Sequence, residues 1–303
     1  MLKKVKLVFL LVCLFITISL QIGWCQELIK PQKIAVLPFS EVGAYYSIGS
    51  LATDFLASDL VKMKSCQVVE RAQLDQVLKE QAFNATGIVD SGTAVKLGGI
   101  LGLDYLLMGN VSIDTRTKAG YYDSQGKWVK PSYLTTVKVI TKIVDVKNGE
   151  IVWSDQRVSE DFKDERSNID VNGPLEEAIY DMARRIYESY LPLKGYVVKV
   201  EGNRFSIDLG EDQNIKKGDT FLVTGVTESY THPVTGEIIT ETKIVGKLKV
   251  VEVGSRLCVA EFVKDDKYGD NSSLIKLGAI VSKQIRSKPK GFLGLGWSGK
   301  HEF

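Results

Sequence analysis

From Lys33 onward, short apolar runs alternate with stretches whose apolar positions recur at helical spacing. Lys33–Phe39 is apolar and β-branched and meets Pro38, a pattern that predicts a buried strand. Leu51, Phe55, Leu56, Leu60 and Met63 then share one face of a helix. Cys66–Glu70 predicts a second strand, and Leu74, Val77, Leu78 and Gln81 a second helix. A third helix, with Ser91 as its cap, has Ala94, Leu97 and Leu101 along one side. Asp104–Asp114 and Leu134–Val146 are the next strands. Lys147-Asn148-Gly149 supplies a tight turn, because Asn-Gly tolerates positive φ, and Ile151–Arg157 returns as the partner strand. A last helix begins at Asn172-Gly173-Pro174, with a capping residue and an early proline. Leu175, Ala178, Ile179, Met182, Ala183, Ile186, Tyr187 and Tyr190 line its apolar face, and Pro192 stops it.

After Pro192 the helical period disappears. Tyr196–Val200, Arg204–Leu209, Thr220–Val226, Lys243–Val253, Leu257–Phe262 and Ala279–Lys283 are short β-rich runs. Glu201-Gly202-Asn203, Lys217-Gly218-Asp219 and His232-Pro233-Val234-Thr235-Gly236 punctuate them as turns. This spacing predicts a small barrel or sandwich. The predicted boundary lies near Leu191–Lys194. Beyond Gln284 the chain is basic and glycine-rich, which reads as a mobile tail.

Length and composition fit this two-part division. The chain has 303 residues, 44% hydrophobic and 25% charged. That is ordinary for two globular domains, and excludes a disordered chain, a collagen-like repeat and a polytopic helical membrane protein. The formal charge of +2 argues against nucleic acid as a partner. Even that small excess belongs to the first segment. Lys3, Lys4 and Lys6 precede the apolar run Leu7–Leu20, which is shorter than the ~20 residues a spanning helix needs, so residues 1–25 read as a secretory signal peptide. Without them the remainder carries net charge −1. Gly23 and Cys25 suit cleavage before Gln26. Cys25 is also a candidate lipidation site, although Trp24 precedes it where a small residue is expected. The remaining cysteines, Cys66 and Cys258, sit in apolar runs of separate predicted domains and read as buried free thiols.

Candidate chemistry is mostly absent. His232 lies in a predicted turn and His301 near the end, so neither suits a nucleophile pair, which needs a rigidly held base. No zinc-ligand spacing occurs, and no pair of carboxylates is set apart by its context. Gly294-Leu295-Gly296-Trp297-Ser298-Gly299 matches a dinucleotide fingerprint in letters, but that motif needs a strand before it and a helix after it, and nucleotide binding is not expected here. The reading is of no catalytic residue, no cofactor and no metal.

Two segments carry a more specific signal: Val69-Glu70-Arg71-Ala72-Gln73-Leu74-Asp75-Gln76-Val77-Leu78-Lys79-Glu80-Gln81, and Lys96-Leu97-Gly98-Gly99-Ile100-Leu101-Gly102-Leu103-Asp104-Tyr105-Leu106-Leu107-Met108-Gly109. Together they resemble the CsgG family of curli production and secretion proteins, over roughly Lys33–Leu191. The resemblance implies an α/β sandwich like the N-terminal domain of TolB, a bacterial envelope location and a homo-oligomer. The best-known members form a ring-shaped outer-membrane pore that exports unfolded subunits. Ile207-Asp208-Leu209-Gly210, Lys217-Gly218-Asp219, His232-Pro233-Val234-Thr235-Gly236-Glu237 and Ile244-Val245-Gly246 resemble the C-terminal domain of the flagellar protein FlgT. Glu70, Arg71, Leu74, Gly98, Gly102 and Gly109 are the matching motif positions, and they read as structural. Glu70 suits a helix N-terminus, Arg71 can pair with a neighbour, and the glycines permit turns and close packing.

A pore subunit also needs strands of ~9–11 residues with an apolar outward face. A first such hairpin would lie in Ile113–Thr136, where Ile113, Thr115, Thr117, Ala119 and Tyr121 alternate with Asp114, Arg116 and Lys118, and Trp128 and Tyr133 supply aromatics. A second would fall between Trp153 and Pro174. There Asp155, Arg157, Glu160, Asp161, Lys163, Asp164, Glu165, Arg166 and Asp170 crowd one short stretch. A Lys or Arg facing lipid at mid-depth costs roughly 2–4 kcal/mol, so the second hairpin is expected to be missing. The expected organisation is a signal peptide (1–25), a CsgG/TolB-like α/β domain (30–192), a small all-β barrel domain like that of FlgT (194–284) and a tail (285–303). The expected role is non-enzymatic: a periplasmic or outer-membrane-associated assembly scaffold with other envelope or secretion proteins as partners. The alternative is a curli-type channel subunit.

Overall fold

The computed structural model describes residues 30–42, 48–80, 91–163, 171–265, 267–268 and 272–285. The chain divides into units Met1–Lys30 and Pro31–Phe303, and all that follows concerns the second. The segment 1–25 expected to be a signal peptide, with Cys25, and the expected tail from 286 lie outside the described residues.

The first part runs β1 (Gln32–Val36), β2 (Ser40–Val42), α1 (Ile48–Met63), β3 (Cys66–Val68), α2 (Arg71–Glu80), α3 (Ser91–Leu101), β4 (Tyr105–Lys118), β5 (Tyr121–Tyr122), β6 (Trp128–Val129), β7 (Ser132–Asp145), β8 (Ile151–Lys163) and α4 (Asn172–Ser189). The sheet order is β3-β1-β4-β7-β8, with β2 also pairing β4. Parallel pairs join β1 to β3 and β4, and antiparallel pairs join β4, β7 and β8.

Helices cover both faces of the inner sheet, and the strand alternation shows how. Ile34, Val36, Leu107, Val111, Val137, Val139 and Ile143 pack with α1 and α4. Ala35, Leu37, Leu106, Met108 and Val144 pack on the other side with Leu74 and Leu78 of α2 and Ala94, Leu97 and Leu101 of α3. Central strands buried on both faces read as continuous apolar runs, which is why β1 and β4 were visible in the sequence.

The second part is β9 (Lys194–Glu201), β10 (Arg204–Ile207), β11 (Thr220–Thr231), β12 (Ile238–Val253), β13 (Cys258–Val263) and β14 (Ile280–Lys283). These six strands close as β10-β13-β12-β11-β14-β9. Of the two predicted architectures, this is the barrel. Phe205, Ile207, Phe221, Val223, Leu248, Val250, Ala260 and Val281 fill its interior.

One helix serves both cores. Leu175, Ala178, Ile179, Met182, Ala183 and Ile186 of α4 pack against the sheet. Tyr187, one position on, enters the barrel core instead. Its hydroxyl donates to the Lys283 carbonyl of β14 at 2.9 Å. The helix begins differently from the expectation. Val171 is the cap residue and makes no side-chain capping bond, and Asn172-Gly173-Pro174 form the first turn, where proline's missing N–H leaves no intrahelical bond unmade. The amides of Tyr190 and Leu191 both donate to the Ile186 carbonyl and close the last turn ahead of Pro192.

β11 and β12 extend further than predicted. Their distal halves, Val226–Thr231 and Ile238–Lys243, stand away from the barrel as a ribbon exposed on both faces, so no apolar/polar alternation marked them.

Two adjacent glycines of α3 separate packing from mere propensity. A Cβ on Gly98 would sit 2.4 Å from Val146 Cβ, whereas one on Gly99 would meet nothing within 4 Å. Gly98→Ala is expected to destabilise by about 1–3 kcal/mol, and Gly99→Ala to be neutral or to stabilise by up to about 1 kcal/mol. Urea denaturation of the two variants measures the difference. Tyr187→Phe is expected to cost about 1 kcal/mol for its lost hydrogen bond, and Tyr187→Ala about 3–5 kcal/mol, read the same way.

Candidate functional site

The outer half of the sheet combines length, an open edge and an uncovered face. β4 and β7 pair without a register shift from Tyr105↔Asp145 to Lys118↔Ser132. The same register continues in β5 and β6, where Tyr121 opposes Val129 and Tyr122 opposes Trp128. The two strand pairs are therefore one ribbon, interrupted where Pro131 has no N–H to give. At ~3.4 Å per residue it is about 60 Å long. Its two ends differ in setting: the inner end lies between helices, and the outer end is exposed.

On one face of this outer half, Asn110, Ser112, Asp114 and Arg116 of β4 neighbour Ile140, Lys138, Thr136 and Leu134 of β7. Those in turn neighbour Gln156, Val158, Glu160 and Phe162 of β8. Val158 and Phe162 are exposed, as is Val42 of β2 beside Ser112. This face mixes charge with apolar side chains.

The opposite face resolves the charged run. β8 continues to Lys163 rather than ending at Arg157, and it pairs with β7 as one strand to that point. Register puts Asp155, Arg157, Ser159, Asp161 and Lys163 on the side facing α4. Arg157 ion-pairs with Asp155 at 2.7 Å and with Asp181 at 3.0 Å. Arg184 binds Asp181 at 2.7 Å and Glu188 at 2.9 Å, and Arg185 meets Asp155. Ser159, buried, donates to Glu177 at 2.6 Å. The charges alternate in sign and fasten a long edge strand to its helix. Residues 164–170, the rest of the run, lie outside the described residues.

The ribbon's tip carries Tyr121, Tyr122 and Trp128, which are 47%, 69% and 49% exposed. The Tyr122 and Trp128 rings lie 4.9 Å apart, tilted at 57°. The Lys118 ammonium lies 5.9 Å from the centre of the Tyr121 ring. Gly120 makes room for the indole: a Cβ there would come within 2.5 Å of Trp128 Cζ2. The turn is ordered by Asp123, whose carboxylate accepts the amides of Gln125 and Lys127, both at 2.9 Å. Gly126 supplies the positive φ of 76°.

The barrel ribbon is the second projecting surface. Tyr230, Val234, Ile238 and Ile239 are exposed on it. Glu228 lies directly opposite Glu241, a like-charge pair that disfavours the isolated ribbon. The Tyr230 hydroxyl donates to Glu228. A shallow depression beside Ile215 and Val253 is lined by Lys216 and Lys217 as well as Glu211 and Glu252, so it favours neither sign of ligand.

The motif positions are scattered along the inner sheet and do not converge. The Glu70 carbonyl accepts from the Leu74 amide at 3.1 Å as α2 begins. Arg71 ties α2 to α1 through Asp54 at 2.6 Å and reaches Asp75 at 3.7 Å. Leu74 is buried with α3. Gly102, at φ +62°, ends α3, where the Leu103 amide returns to the Gly98 carbonyl at 3.0 Å. At Gly109 a Cβ would lie 2.2 Å from the Ile140 carbonyl oxygen and 2.4 Å from the Phe39 ring. Among the described residues no group of three His, Cys, Asp or Glu side chains could hold a metal ion, and no helix is long and apolar enough to cross a membrane.

Residues 26–176 match the family described as curli production assembly/transport component CsgG. The chain carries a CsgG-family domain. The proteins of this family are periplasmic or outer-membrane-associated, oligomerise, and serve as structural and transport components rather than catalysts. No curated protein matches the chain. Among solved structures, lipoprotein GNA1162 from Neisseria meningitidis is similar at 21% identity and a TM-score of 0.35, over 52% of this chain and 100% of that one. A PelC dodecamer from Paraburkholderia phytofirmans is similar at 18% identity and a TM-score of 0.32, over 51% and 87%. The LpoB C-terminal domain from Salmonella enterica gives 15% identity and a TM-score of 0.31, over 44% and 85%.

The CsgG-family domain is joined to a closed six-stranded barrel. Sequence reasoning missed the barrel ribbon, which has no one-sided pattern. It placed a hairpin in Ile113–Thr136 and named Tyr121 and Trp128 there, but not Tyr122 or the turn between the two-residue strands of the tip. The Tyr121-Tyr122 pair and Trp128, flanked by Gly120 and Gly126, were the signal available for the tip.

The buried thiols give a test of the whole arrangement. Burial pushes Cys66 up to about 11 and Cys258 up to about 12. In the unfolded chain both ionise near 9.0, so above that pH the unfolded state holds fewer protons than the folded one. Stability is therefore expected to be unaffected by these thiols below pH 9 and to fall from pH 9 towards 12. A Cys66→Ala/Cys258→Ala variant should show a shallower alkaline decline in urea midpoints. In the parent, a thiol reagent at pH 8 should label neither of these two cysteines until denaturant is added.

Proposed function

We propose that this chain is a non-catalytic scaffold of the bacterial envelope, a periplasmic or outer-membrane-associated component of a secretion or surface-assembly system. In this reading residues 30–192 form a TolB-like α/β domain and assemble with further copies. Residues 194–284 form a barrel domain of the FlgT C-terminal type, which contacts another component of the system. What supports a scaffold over a channel is the ion-paired stripe on β8. Asp155, Arg157 and Ser159, where a second membrane hairpin would be sought, are engaged by α4 and cannot also face lipid. The outer half of β4 supports the same reading, since Asp114, Arg116 and Lys118 occupy one side of it.

Mass photometry and electron microscopy of the exported chain are expected to show a defined oligomer. Crosslinking in cells is expected to recover an envelope protein. A strict monomer without an envelope partner would sink the scaffold reading. Discrete conductance steps in planar bilayers, together with heat-modifiable outer-membrane oligomers, would replace it with a channel.

A further inference from the structure

From the tip of the long sheet ribbon, we infer that Tyr121, Tyr122 and Trp128 with Lys118 and Lys127 form a seat for an anionic lipid surface, which docks the protein on a membrane without crossing it. The inference rests on the envelope reading and adds to it the face that meets the membrane.

Three observations on this tip agree. First, the aromatics are exposed yet held in place. Tyr122 stacks on Trp128 at 4.9 Å, Trp128 lies over Gly120, and the Asp123 turn fixes both strands. The cross-strand Tyr122–Trp128 pair supports the hairpin, but that contact does not account for the exposure of all three rings. Tyr and Trp do gain at a bilayer interface, where the ring is half immersed and its polar atom stays hydrated.

Second, the charge is one-sided. Lys118 and Lys127 are exposed on the tip, and the Lys118 ammonium lies 5.9 Å from the centre of the Tyr121 ring. Among the described residues of the tip the acidic group is Asp123, whose carboxylate accepts the backbone amides of Gln125 and Lys127. Each lysine near an anionic leaflet contributes attraction that fades within a Debye length, and its aliphatic stem can lie along the interface.

Third, the depth is limited. Behind the tip, Asp114 and Arg116 form an ion pair at 2.8 Å on one face of the ribbon, and Glu160 lies beside Thr136. These groups belong in water, so immersion stops at the aromatic level. A protein partner would be expected to offer acidic side chains and a shaped pocket. The two faces of this tip, with rings on both, fit a fluid surface better.

The test is flotation of the exported chain carrying Cys25→Ser, so that no covalent lipid contributes. One set of vesicles mixes phosphatidylethanolamine with phosphatidylglycerol, and the other is phosphatidylcholine alone. The chain is expected to float with the anionic set, to be released as salt rises, and to float at least tenfold less with the zwitterionic set. Tyr121→Ser/Tyr122→Ser/Trp128→Ser should lower anionic partitioning by about tenfold or more, and Lys118→Glu/Lys127→Glu should do likewise with the rings intact. The second variant and the salt titration decide the matter if the first does not fold. Brominated lipid should quench tryptophan emission in the parent, and less so in Trp128→Phe. No flotation of the parent, or flotation of both variants equal to that of the parent, overturns the inference. So does unchanged flotation with loss of a crosslinked envelope protein, which would make the tip a protein contact. Mass photometry on the same sample separates this result from the scaffold reading: a monomer that still floats through the tip removes the scaffold and keeps the seat.

Discussion

The structure depends on the double burial of α4. Its apolar stripe closes one face of the sheet, and Tyr187 at its C-terminal end is part of the barrel core. Its remaining face carries the arginines and acids that hold β8. A single helix thus sets three contacts, and the spacing of its residues sets their directions. Leu175 through Ile186 keep the helical period toward the sheet, and one further step of about 100° turns Tyr187 toward the barrel. Two cores that share a helix in this way depend on the same helical turns.

The edge strand β8 shows how charge can serve a sheet without a membrane. A thirteen-residue edge presents an unpaired row of backbone groups, which natural proteins guard with charge. Here the guard is also an anchor, because side chains of alternating sign on β8 meet their opposites on α4. Exposed pairs contribute little individually. These are partly buried and share partners, so they form a network: Asp155 meets both Arg157 and Arg185, and Asp181 both Arg157 and Arg184. The scaffold reading and the ion stripe are therefore linked through one strand face.

Much of the fold was legible because burial imposes a period. β1, β4 and β7 read as strands since both their faces are covered, and α4 read as a helix since one face is. The end of β8 beyond Arg157 was hidden, because Ser159, Asp161 and Lys163 look like solvent-facing residues until α4 supplies Glu177 to Ser159. Three-residue β2 is too short to show a period. The distal β11–β12 ribbon was invisible for the opposite reason. Thr227, Ser229, Thr231, Thr240 and Thr242 bury nothing, and strand formation there follows from the barrel strands that precede it. Gly98 and Gly109 stood out as letters, but only packing shows that Val146 and the Ile140 carbonyl occupy the space a side chain would need.

The way the barrel ribbon is rooted has a mechanical consequence. The β11–β12 ladder shifts register twice near the wall, between Val223 and Thr224 and again between Val226 and Glu228. Such bulges accommodate bending and added twist while the flanking pairs stay joined. Beyond them the ribbon continues for several residue pairs, at ~3.4 Å each. It is a lever with a compliant root and a closed barrel as its mount, so a few degrees of rotation at Val226 become a displacement of ångströms at Val234, while the barrel's own ladder is left intact.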